Sequence, residues 1–138
     1  MRVINLMLGK RQGGLEAMAL VYHQLLQSRS VDVLTIAASG SWLSQKQSEI
    51  HPLLTAKIPP VIPYFSRREI EKAARSFNAD IMIAHGTRAI SVALGIKGMK
   101  HIGVIHNTRF KNFFADLDMM IAVSSGVGAK ALREFPDQ

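Results

Sequence analysis

The sequence predicts an α/β fold, a parallel sheet carrying helices on both faces within a single domain, and three observations lead there. Short apolar runs of strand length alternate with segments of helical periodicity along the 138 residues. The connections between them are short, as right-handed crossovers in a parallel sheet require. The first junction is a glycine pair, Gly13-Gly14, set between a β-like run and an amphipathic helix.

Each element follows from its residues. Arg2-Val3-Ile4-Asn5-Leu6-Met7-Leu8 reads as the first strand, and Leu15, Met18, Ala19, Tyr22, Leu25 and Leu26 give a helix from Leu15 to about Ser28 with one buried stripe. Val31 to Ala37 is a second strand, short and apolar as in a sheet covered on both faces. Ser39 to Ala56 is polar and reads as irregular. Ile58, Val61 and Ile62 suggest a short third strand, held to an edge by Pro59, Pro60 and Pro63. Ser66-Arg67-Arg68-Glu69 has the form of a capping box, ahead of Ile70, Ala73, Ala74 and Phe77 at helical spacing. Ile81 to Ala84 is a buried strand, and Thr87 is expected to cap a helix running through Leu94. His101 to Ile105 and Met119 to Val123 are the last two strands. Ser124 or Ser125 caps a final helix, Val127 to about Glu134, before Pro136.

Composition narrows the function. With 48% hydrophobic residues the chain can fill a core, and with no cysteine it has neither disulfides nor thiolate metal sites, which fits a reducing cytoplasm. Met1 runs directly into the first strand and no apolar run spans a bilayer, so a soluble protein without signal peptide is expected. The net charge of +7 is unevenly placed: no acidic residue falls between Ile81 and Ala115, where Arg88, Lys97, Lys100, Arg109 and Lys111 stand. Such a face suits phosphorylated ligands or an anionic membrane surface. Sparse aromatics and scattered cations argue against nucleic acid.

In a parallel α/β sheet, ligands bind beyond the carboxyl ends of the strands. Gly13-Gly14, His85-Gly86-Thr87-Arg88, His106-Asn107-Thr108-Arg109 and Ser124-Ser125 fall there. The glycine pair leaves the unpaired N–H groups of a helix start open to a phosphate or sugar, although it matches neither the dinucleotide nor the P-loop pattern and also serves as a tight βα turn. His106 is expected to project into the crevice near that loop and to donate to a phosphate or hydroxyl. His85 has the same placement, with a structural role open to it. Glu16 suits the first helical turn and could also face the ligand. The five histidines show no metal-ligand spacing, Val123-Ser124-Ser125-Gly126-Val127 lacks the leading glycine of a hydrolase elbow, and no carboxylate pair suits a glycosidase.

Taken in order, Gly13-Gly14-Leu15-Glu16, Gln24-Leu25-Leu26, Asp32-Val33-Leu34-Thr35, Asp80 to Gly86, Gly103-Val104-Ile105-His106-Asn107 and Met119 to Ser124 resemble the N-terminal half of a GT-B glycosyltransferase of the retaining, group-one type. The resemblance covers almost the whole chain. It implies a Rossmann-like domain, residues 1–138, that holds the acceptor, with the nucleotide sugar bound mainly by a second domain absent from this chain. The nucleotide sugar is then a substrate, and no cofactor or metal is implied. By position, His106 takes the catalytic place near the transferred sugar, Gly13 and Gly14 lie near the donor diphosphate and the acceptor, and Arg109 is an acceptor or phosphate contact. Glu16, His85 and Asn107 complete the expected substrate- and phosphate-binding set. Ser30 stands where the family commonly has glycine. The acceptor is expected to be a lipid-linked or cell-envelope glycan at the cytoplasmic membrane face, with peripheral contact to anionic lipid. The isolated chain is expected to be inactive. Two other classes remain open: a stand-alone binder of nucleotides or phosphorylated small molecules, and an interaction module forming homo-oligomers through the exposed interdomain face.

Overall fold

The computed structural model describes residues 1–57 and 63–137 and shows one six-stranded sheet, every pair of which is parallel. The strands are β1 (Arg2–Met7), β2 (Asp32–Ala38), β3 (Leu53–Ala56), β4 (Ile81–His85), β5 (Lys100–Ile105) and β6 (Met119–Ala122), in the spatial order β3-β2-β1-β4-β5-β6. The order reverses between β1 and β4, where the chain crosses from one half of the sheet to the other. That switch point leaves a crevice at the carboxyl edge.

Four helices connect or follow the strands: α1 (Gly14–Ser28), α2 (Pro63–Ser76), α3 (Gly86–Ala93) and α4 (Ser125–Glu134). Alternation along the strands decides which face each helix covers. Ile4, Leu6, Ile36, Met82 and Ala84 point to one face, into the main core with Ile70 and Ala74 of α2, Ala89 and Ile90 of α3, and Val127 of α4. Val3, Ile83 and Val104 point to the other, against Tyr22 and Leu26 of α1. Further along α1, Ala19 packs with Met7, Ala37, Leu43 and Ile50. Helices therefore lie on both faces, as the sequence predicts. Beyond α1 the sheet face is open at β6, where Met119 is 51% and Val123 44% exposed.

Three expectations need correction. The segment from Ser39 to Ala56 is not irregular throughout: it holds a 3-10 turn at Leu43–Gln45 and the edge strand β3, paired with β2 from Thr35↔Leu53 to Ala38↔Ala56. The third strand thus precedes the prolines, while Ile58, Val61 and Ile62 lie outside the described residues. Four residues at a sheet edge carry too few apolar positions to announce a strand. Second, α2 begins at Pro63, so Ser66 lies inside the helix rather than at its N-cap. The Glu69 carboxylate instead accepts from the Lys57 N–H at 3.3 Å. Third, the N-cap of α3 is His85, not Thr87, because Gly86 takes φ +78° and lets the helix start immediately after the strand. Ser124 caps α4 as expected, its Oγ accepting from Val127 N–H at 3.3 Å.

Candidate active site at the carboxyl edge of the sheet

A cavity of about 490 Å³ opens at the carboxyl edge of the sheet. Gly13, Gly14 and Glu16 line it from the start of α1, and His106 from the end of β5. Leu15, Met18 and Val123 supply its apolar wall. The α1 terminus has Gly13 as an extended N-cap without any side-chain hydrogen bond. Its first N–H groups are therefore free of the usual capping oxygen. Gly86 closes the assembly: a β-carbon there would come within 2.9 Å of Leu15 Cδ1 and 3.9 Å of His106 Cε1. Its positive φ of 78° favours glycine, and the missing side chain leaves room for the Leu15 methyl beside the His106 ring.

The strand-end loop after β5 orients His106. Asn107 Oδ1 accepts from Arg109 N–H at 3.0 Å, which fixes the amide so that its Nδ2 faces His106 Nε2 at 3.3 Å. An amide nitrogen can only donate, so Nε2 accepts and the ring proton sits on Nδ1. His106 thereby presents its Nδ1–H as a donor on an exposed ring. The loop is held further by Lys130 of α4, whose Nζ donates to Thr108 carbonyl at 2.9 Å and stands 5.5 Å from the centre of the Phe110 ring.

The other expected residues fall elsewhere. His85 is 2% exposed and buried beneath α1, edge-on to Tyr22 with 5.0 Å between ring centres. Its Nε2 donates to Asn5 Oδ1 at 2.7 Å. Asn5 Nδ2 in turn donates to the Ala19 carbonyl at 2.8 Å and to Thr35 Oγ1 at 2.9 Å, and Thr35 Oγ1 lies 2.8 Å from His23 Nδ1. This buried polar chain, Asn5 and Thr35 included, was not foreseen from sequence; the polar Asn5 and Thr35 inside otherwise apolar strands were the available signal. Burial pulls the His85 pKa down to about 4, so the ring is neutral at physiological pH. Arg109 is exposed and Asn107 acts on His106 rather than lining the cavity. Among the described residues, no three His, Asp or Glu side chains gather as metal ligands, and no helix is long and apolar enough to cross a membrane.

A doubly wound parallel sheet with its cavity at the switch-point edge defines a Rossmann-like α/β domain. Solved structures share it. A glycosyltransferase from Rickettsia africae superposes with a TM-score of 0.76 at 14% identity, over 99% of this chain and 40% of that one. MurG from Acinetobacter baumannii does so with a TM-score of 0.68 at 14% identity, over 88% and 40%. The NAD(P)-binding domain of an exopolyphosphatase-related protein from Archaeoglobus fulgidus gives a TM-score of 0.58 at 12% identity, over 99% and 98%. The chain thus spans about 40% of the length of the Rickettsia glycosyltransferase and of MurG. No protein-family model and no curated protein matches the chain.

Proposed function

We propose that this chain is the N-terminal, acceptor-side domain of a glycosyltransferase that moves a sugar from a nucleotide-sugar donor to an acceptor with retention of configuration. The observation that carries the reading is the cavity where a helix N-terminus, the Glu16 carboxylate and the His106 N–H donor meet at the carboxyl edge of the sheet. The better superposition on the Rickettsia glycosyltransferase than on the NAD(P)-binding domain favours it over a stand-alone nucleotide binder. In this reading the nucleotide is held mainly by a second domain facing the cavity. Here the His106 Nδ1–H would donate to the sugar as charge shifts toward the departing diphosphate. The basic excess supports peripheral contact with an anionic membrane bearing a lipid-linked acceptor.

Turnover tests the proposal. The product of the complete reading frame, offered a panel of nucleotide sugars and glycan acceptors, should release nucleoside diphosphate only when acceptor is present, and the anomeric signal of the product should match that of the donor. Absence of acceptor-dependent release across the panel would refute it.

A further inference from the structure

The face of the sheet that α1 covers has room for a second helix. α2, α3 and α4 all pack into the core on the other face, whereas α1 lies over β1, β2 and β4 with the Leu43–Gln45 turn beside it. Beyond α1, over β5 and β6, Ile102 and Ile121 are half-buried while Met119 and Val123 are about half exposed. The flank of α1 walls this strip: Met18 lines the cavity together with Val123, and Leu25 follows two turns later on the same side. Strands stand about 4.8 Å apart, so the two strands leave a groove roughly 10 Å wide, the width of one helix.

Groove and wall are both uncharged. Every residue that α1 shows to solvent is neutral, its acid Glu16 and its histidine His23 being buried, and β6 has no charged residue. α2, by contrast, shows Arg68, Glu69, Lys72 and Arg75. Four of the seven exposed large hydrophobics among the described residues, Val21, Leu25, Met119 and Val123, gather on this flank. Exposed apolar side chains with charge depleted around them have the composition of an interface core. Charge, shape and area together select the occupant. At the amino end of the strip Lys100 and Asp118 pair with each other at 2.7 Å, so nothing along α1 or β6 draws an anionic lipid or a nucleic acid. The outer ridge of α1 itself, Ala17, Val21, Gln24 and Ser28, is uncharged and exposed, and a two-fold axis lays each such helix in the groove of the other copy. The chain exposes 7716 Å², about 600 Å² more than the roughly 7100 Å² of a monomer of its mass, and a standard dimer takes about 800 Å² from each partner. We infer that a second copy of this chain covers the β5–β6 strip, the outer ridge of its α1 packing on Ile102, Met119, Ile121 and Val123, with the same contact made in return.

Sedimentation equilibrium of the 138-residue chain tests this. A contact of this size should give a reversible monomer–dimer equilibrium with Kd between about 1 and 100 μM, so loading from about 1 to 500 μM spans it. Val21→Lys on the ridge and Met119→Lys in the groove should each raise Kd at least about tenfold by placing a charge in the contact. Leu132→Lys, at a residue 63% exposed on α4 of the opposite face, should leave Kd within about twofold. Raising NaCl from about 0.05 to 0.5 M should not weaken the dimer, since no ion pair holds it. Thermal melting reports that each variant folds. A chain that stays monomeric throughout this range would overturn the inference and leave the groove to a helix of another protein. A dimer that Leu132→Lys or salt disrupts, or that either folded groove variant leaves intact, would overturn the face assigned to it.

Discussion

His85 and His106 both stand at strand ends and on the same face of the sheet, and the register separates their roles. His85 pairs with Val104, so His106 lies two residues, roughly 6–7 Å, further along the strand direction and clears the edge. Sequence placed both histidines in the crevice because it gave strand ends but not relative register. The consequence for His85 is a pH dependence of stability. Its Nε2 donates to Asn5, leaving a buried Nδ1 without a partner among the described residues, so protonation would place a charge there. The folded pKa of about 4 lies below the unfolded value near 6.5, so between these limits the unfolded chain binds the extra proton. Stability is full above pH 6.5 and falls as pH drops toward 4, by roughly 3 kcal/mol in total. His23 and His101, also lowered by burial, add in the same direction. Urea midpoints at pH 7.5 and 4.5 should show the wild type losing roughly 2–3 kcal/mol more than His85→Gln. Identical losses would assign the acid sensitivity elsewhere.

At the scale of elements, α1 ends in a strained position that sequence flagged and the structure bears out. Ser30 takes φ 59°, with Ser30 N–H bonded to the Gln27 carbonyl and Val31 N–H to the Leu26 carbonyl. Glycine enters this conformation without steric cost but loses more entropy on folding, so Ser30→Gly should stabilise by about 0.5–1 kcal/mol and raise Tm by a few degrees. An unchanged or lower Tm would show that the serine is not strained. The opposite case is Gly103 in β5, where a β-carbon would lie 2.6 Å from Leu117 Cδ1 and 3.0 Å from Ile90 Cδ1. Gly103→Ala should destabilise by about 1–3 kcal/mol through overpacking, measured by thermal melting. At α4, Ser124→Ala should cost about 0.5–1 kcal/mol, at the modest end because its capping bond is long. The strongly periodic α1 and the apolar strands β1, β2, β4 and β5 were legible because burial on one or both faces writes itself into residue spacing. The edge strand β3 and the starts of α2 and α3 were not. β3 is set by pairing with β2, and the α3 start by the backbone of Gly86, neither of which leaves a periodic trace.

For the whole molecule, the sheet order turns four distant sequence segments into one site. Gly13-Gly14 and His106 were visible as glycine turn and strand-end histidine, and the topology alone could join them. What sequence could not show was that Glu16 would be folded back into the glycine loop or that Asn107 would fix the tautomer of His106, since both depend on side-chain geometry a few ångströms across. Val123, 44% exposed just past the end of β6, is part of the cavity wall. The central claim, that this edge holds the reacting sugar, is tested most directly by comparing kcat/KM for glycosyl transfer between the full-length wild type and His106→Ala. The account predicts a loss of about a hundredfold or more with Tm unchanged, because an exposed donor to the developing charge is removed and no core contact is lost. A variant that transfers sugar at the wild-type rate would contradict it.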